Sequence, residues 1–143
     1  MSAYVRWIED FPMTFTATSG AMTFTATSGA GSSVTLPDRL MLNVSPYSWA
    51  QFVVEALSFT DESADPELTI EFETTIDGAF YERSSVITVK PSTPVQHKWL
   101  IDNDSSSTER LGRLVRVRFS YIDAGAVTPN TVHVSIRALL KNA

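Results

Sequence analysis

The chain has 143 residues, with 11 Lys and Arg against 16 Asp and Glu, a formal charge of −5, and no cysteine. That length suits one domain able to close a core without staples, the missing cysteine excludes disulfides, thiolate metal sites and cysteine nucleophiles, and the acidic balance argues against general affinity for nucleic acid. The opening residues show no basic stretch leading into an apolar run, and nowhere do about 18 apolar residues follow one another, so neither a signal peptide nor a membrane span is expected.

The first marked feature in chain order is a perfect tandem repeat. Met13 to Ala21 reads Met-Thr-Phe-Thr-Ala-Thr-Ser-Gly-Ala and recurs unchanged as Met22 to Ala30. Met, Phe and Ala alternate with Thr, the period of a strand with one apolar face. Ser19-Gly20 and Ser28-Gly29 supply turn residues, so a hairpin turning near Gly20 is predicted. Tandem copies are best tolerated where the backbone is exposed, which places this segment on a sheet edge or a projecting N-terminal arm, outside the central core. Met13, Phe15, Met22 and Phe24 are then candidate interface residues.

Arg39 to Val44 is a short apolar strand. Trp49 to Leu57 fits a helix through Trp49, Phe52, Val53, Ala56 and Leu57, or a buried strand through Phe52, Val54 and Ala56. The strand is favoured because its clear neighbours are β. Leu68 to Thr74 alternates cleanly, with Leu68, Ile70 and Phe72 on one face and Thr69, Glu71 and Glu73 on the other. Asp77-Gly78 then predicts a tight hairpin with Gly78 at positive φ. Val86 to Val89 and Gln96 to Ile101 are strands separated by Lys90-Pro91-Ser92-Thr93-Pro94, whose prolines interrupt any ladder. Arg113 to Ile122 points Val115, Val117, Phe119 and Tyr121 inward and Arg116 and Arg118 outward. Thr131 to Leu139 points Val132, Val134, Ile136 and Ala138 inward and His133, Ser135 and Arg137 outward. These elements make an all-β antiparallel sandwich in a single domain spanning residues 1–143.

Catalytic patterns are missing: there is no phosphate loop, no His-Glu-x-x-His and no Gly-x-Ser-x-Gly. His97 and His133 sit in separate strands, too few for a transition-metal site without cysteine. Glu71 and Glu73 are about 7 Å apart by strand rise, near the spacing of an inverting glycosidase pair. Alternating acids on a solvated strand face are the ordinary outcome, however. Asp102-Asn103-Asp104 offers oxygen ligands but lacks the glycine and glutamate of an EF-hand, and reads as a surface turn. Trp7, Trp49 and Trp99 are far apart in sequence and read as core or interface residues. No cofactor is expected.

Charge is segregated. Asp61 to Glu82 holds eight acidic residues and no Lys or Arg, whereas from Arg83 onward there are nine Lys or Arg and four acids. Complementary neighbouring strands explain this most simply. The alternative is an acidic surface that meets a basic one on another subunit, with Arg116 and Arg118 as candidate interface residues.

A longer pattern carries a resemblance. Leu68-Thr-Ile-Glu-Phe-Glu-Thr-Thr-Ile-Asp-Gly78 is followed by Phe80-Tyr81-Glu82, then by Leu111-Gly-Arg-Leu-Val-Arg-Val-Arg-Phe119, and finally by Val132 to Lys141. This order resembles discoidin-like jelly rolls. It is similar also to small β-sandwich virion structural proteins of tailed phages and gene transfer agents. The similar stretch runs from Trp49 to Lys141. It departs from the discoidin pattern at Thr75, at Phe80-Tyr81 and at Leu114, and the discoidin ligand loops have no match. The resemblance implies a non-enzymatic structural protein of a phage-like virion, on the capsid surface or at a head or tail joint. Such a protein would be made in the host cytoplasm, form homo-oligomers and contact other virion proteins, with no nucleic acid or membrane partner. The alternative it implies is a discoidin-like carbohydrate-binding module.

Overall fold

A computed structural model describes residues 2–18, 21–24, 33–35, 41–63, 65–79, 82–101, 111–122 and 130–142. The side chains of 15–18, 21–24, 33–35, 101 and 122 lie outside that description. The described strands are β1 (Ser2–Thr18), β2 (Ala21–Phe24), β3 (Ser33–Thr35), β4 (Leu42–Asn43), β5 (Trp49–Leu57), β6 (Glu67–Thr75), β7 (Glu82–Arg83), β8 (Ile87–Val89), β9 (Val95–Ile101), β10 (Leu114–Ile122) and β11 (Asn130–Lys141).

They form two antiparallel sheets packed as a β-sandwich. Sheet A runs β2-β1-β11-β5-β9, and sheet B runs β3-β10-β6-β7. β4 also pairs with β10, and β8 with β6, so each flank of sheet B is made of two short strands. Broken edges of this kind offer little template for strand addition.

The inner faces follow from alternation. Leu68, Ile70 and Phe72 of β6 and Val115, Val117, Phe119 and Tyr121 of β10 meet Ala50, Phe52, Val54 and Ala56 of β5 and Val132, Val134, Ile136, Ala138 and Leu140 of β11. The segment Trp49 to Leu57 is therefore the predicted strand. Phe52 stacks on Phe72 across the layers, with ring centroids 4.3 Å apart, and Trp7 tilts against both.

β1 departs from the sequence reading most. Its first half, Ser2 to Pro12, pairs along β11 although no strand is predicted there. Two register shifts explain this: Arg6 pairs with Arg137 but Ile8 with Ile136, and Phe11 with Val134. Each bulge adds a residue, so Val5, Trp7, Ile8, Phe11 and Met13 all pack on or in the core without a period of two. At the second bulge Asp10 takes φ 45°. Its N–H donates to Ser135 Oγ at 3.0 Å, and its carboxylate sits 2.9 Å from His133 Nδ1.

The hairpin is found: Thr18 pairs with Ala21 and Phe15 with Phe24, leaving Ser19-Gly20 between the strands. The arm is not. Met13, Thr14 and Phe15 pair with Val132, Thr131 and Asn130 inside sheet A, and Met13 is fully buried. Met13, the first apolar residue of the repeat, enters the core because β11 is long enough to carry β1 past residue 12.

Gly78 has φ 80°, as predicted, but the turn is not a two-residue one. The ladder closes at Thr74 and Glu82. The Thr75 hydroxyl accepts the Gly78 N–H, and Asp77 Oδ1 accepts the Ala79 N–H, an Asx-type turn. The double-proline segment is where the chain changes sheets, from β8 to β9. Lys90 and Thr93 bridge across it, and Asp65 clamps it through the Ser92 N–H and hydroxyl.

Candidate functional site

The outer face of sheet A is the candidate site. Register fixes its rungs. Tyr4, Leu139, Gln51 and Trp99 form one rung across β1, β11, β5 and β9. Below it lie Ser2, Lys141 and Trp49; above it lie Arg6, Arg137, Val53 and His97. Ser135, Glu55 and Val95 follow, with Glu9 and Asp10 beside them in the bulge, and then His133 and Leu57.

This face is unusually apolar for an outward one. Tyr4, Leu57, Val95 and Trp99 are 59%, 46%, 39% and 47% exposed, and all four belong to it. Trp49 and Trp99, fifty residues apart in sequence, meet with ring centroids 4.8 Å apart at 58°. Lys141 Nζ lies 4.7 Å from the Trp49 centroid, a cation–π contact. Gln51 Nε2 reaches His97 Nδ1 at 3.3 Å. Between Tyr4, Arg6 and Arg137 on one side and Glu9, Asp10 and Glu55 on the other, the bulge opens a shallow groove of about 380 Å³.

The outer face of sheet B is different. Arg116 lies opposite Glu73, and Arg118 opposite Glu71, in the β10·β6 ladder. Arg116 donates through Nε and Nη2 to Glu73 Oε2 at 3.1 and 2.8 Å, and Arg83 Nε stands 3.6 Å from Oε1. Arg118 Nη1 donates to Glu71 at 3.0 Å. The acidic and basic segments thus meet within one chain, as the simpler reading of the charge pattern has it. Glu73, predicted on a solvated face, is 2% exposed, because two guanidinium groups close over it.

The predicted interface residues therefore divide. Arg116 and Arg118 are engaged within the fold, and Met13 is core. The side chains of Phe15, Met22 and Phe24 lie outside the described residues, as does the Asp102-Asn103-Asp104 turn. Among the described residues no three His, Asp or Glu side chains converge as a metal site. The Trp49–Trp99 pair escaped sequence reading because only the β5·β9 register brings it together. The signal that did exist was the outward parity of Trp49, Gln51 and Val53 on a strand whose inward set was already apolar. Compared with known proteins, the chain matches no family model, no curated protein and no solved structure.

Proposed function

We propose that this chain is a non-enzymatic structural protein of a phage-like virion, joining subunits through the outer face of sheet A. The observation that carries the assembly role is the concentration of exposed Tyr4, Leu57, Val95 and Trp99 on one sheet face. Exposed apolar side chains gathered on one face among charged ones suit a contact surface, and exposed tryptophan and tyrosine anchor such contacts. The neutralised Arg–Glu ladder on the opposite face fits an outer, solvent-facing side. The virion context is supported by the resemblance of Trp49 to Lys141 to phage sandwich proteins. In this reading the protein is made in the host cytoplasm and takes its place as an oligomer among other virion proteins. Electron microscopy of particles purified from cells that make the chain tests it. Ordered copies on a shell, tube or joint are expected, and particles lacking the chain at every site would end the proposal.

One observation favours a second reading, a carbohydrate-binding module. The Trp49–Trp99 pair with Gln51 and His97 beside it offers a ring for stacking and polar groups for hydroxyls. Selective glycan binding that disappears in Trp99→Ala, without loss of fold, would support this module over the structural role.

A further inference from the structure

We propose that the occupant of the outer face of sheet A is the same face of a second copy, turned over about a two-fold axis lying across the strands. The inference gives the assembly reading above its immediate partner and rests on that reading for its particle context alone.

Charge is polarised along this face. Three cations, Lys141, Arg6 and Arg137, lie toward the Ser2–Lys141 end of the face. Three anions, Glu9, Asp10 and Glu55, lie toward the other end. Arg6 and Arg137 are directly opposite each other in the β1·β11 ladder. Like charges in one rung are unfavourable in the isolated sheet. Arg6 finds Glu9 at 3.5 Å, in a pair that is largely solvated. Arg137 and Glu55, both half-buried, make no ion pair among the described residues. A carboxylate from outside satisfies the first, and a guanidinium from outside satisfies the second.

A two-fold axis across the strands reverses the strand direction of the copy. It places the Arg6–Arg137–Val53–His97 rung over the Ser135–Glu55–Val95 rung and bulge carboxylates of the partner. The same operation applies in return, because an isologous contact uses one patch twice. The Tyr4–Leu139–Gln51–Trp99 rung then lies over the partner's level of His133 and Leu57, covering the exposed apolar side chains. An axis along the strands would instead set cations on cations. Four strands side by side, over the length of β5, give a face of roughly 20 by 30 Å, of the order of the area of about 800 Å² per partner that stable interfaces bury.

Sedimentation of the purified chain tests the contact. The parent is expected to dimerise with concentration and more weakly in high salt. The double variants Arg6→Glu/Arg137→Glu and Glu9→Lys/Glu55→Lys should each be monomeric, and mixing them in equal amounts should restore a one-to-one heterodimer. Circular dichroism confirms that each remains folded; Leu57→Lys, at an exposed position, provides an independent block should either fail. A parent that stays monomeric at about 0.5 mM, where even a millimolar contact is visible, overturns the proposal. So do reversed variants that still self-associate, a mixture that stays monomeric, or glycan binding by a chain that never dimerises. A dimer in solution whose copies are absent from particles would sink the virion reading and leave this contact standing.

Discussion

At Gly112 an added methyl group would lie 2.5 Å from the Thr75 carbonyl oxygen, a backbone atom that already accepts the Arg113 N–H at 2.7 Å. Gly112 stands just before β10 and Thr75 ends β6, and the two cannot part without losing the Arg113 bond to Thr75, so Gly112→Ala should lower stability by about 2–3 kcal/mol. A denaturant midpoint unchanged by that substitution would show that the approach is looser. Gly78 is constrained differently. Space around it is open, and its φ of 80° is the obstacle. Gly78→Val is expected to cost about 1 kcal/mol or more in thermal unfolding, because β-branched residues are poor at positive φ. Phe119 was readable from alternation and is wholly buried; Phe119→Ala should cost roughly 3–5 kcal/mol. Asn130 was not readable. Its Oδ1 accepts the Thr60 N–H, the Thr60 hydroxyl and the Asp61 N–H, while Nδ2 donates to Asp61 O and Tyr121 OH. Nothing in a lone asparagine announces that the loop after β5 will close over it.

Among the elements, β6, β10 and β11 were legible because each alternates without interruption, whereas β5 also fitted a helix and was read as a strand from its β neighbours. The first half of β1 was hidden by its two bulges, which set Trp7 and Ile8 on the same side and so mask the period of two. The Arg–Glu ladder of β10 and β6 shows the limit in another way: outward parity was read correctly, but exposure was not, since cover by a partner's side chain is a property of the pair. Its two rungs differ in depth. Arg116→Met leaves a carboxylate that is 2% exposed, whereas Arg118→Met leaves one at 18%. The first should therefore destabilise more than the second, by roughly 1–3 kcal/mol. Equal urea midpoints for the two would refute the ranking. The turn between β8 and β9 carries an acid dependence. The Ser92 hydroxyl first, then the Ser92 N–H and Lys90, hold the Asp65 carboxyl below its ordinary value of 3.8. A depressed carboxyl contributes stability that is present above its unfolded pKa and lost as pH falls through the folded one. The Ser92 amide resonance should thus move only below about pH 4.

For the molecule as a whole, the register of β1 on β11 is decisive. Ser2 faces Lys141, so the start of β1 and the end of β11 share a rung. Removal of residues 1–12 would strip Trp7, Ile8 and Phe11 from the core and leave β11 unpaired on that side from His133 to Lys141. The shortened chain should fail to show a cooperative melting transition, and a sharp transition near that of the parent would contradict the role assigned to β1. The same arrangement bears on how the protein comes into being. A ribosome releases a chain in order, and β11 follows every other described strand. Yet β11 is the strand that β1 and β5 both require. Until residue 141 has emerged, sheet A exists only as two disconnected strand pairs, β1 with β2 and β5 with β9, while sheet B, complete at residue 122, has nothing finished to close against. Domains commonly begin folding as they are made; here β11 is the strand that joins the halves, and the sandwich closes only once that strand has emerged.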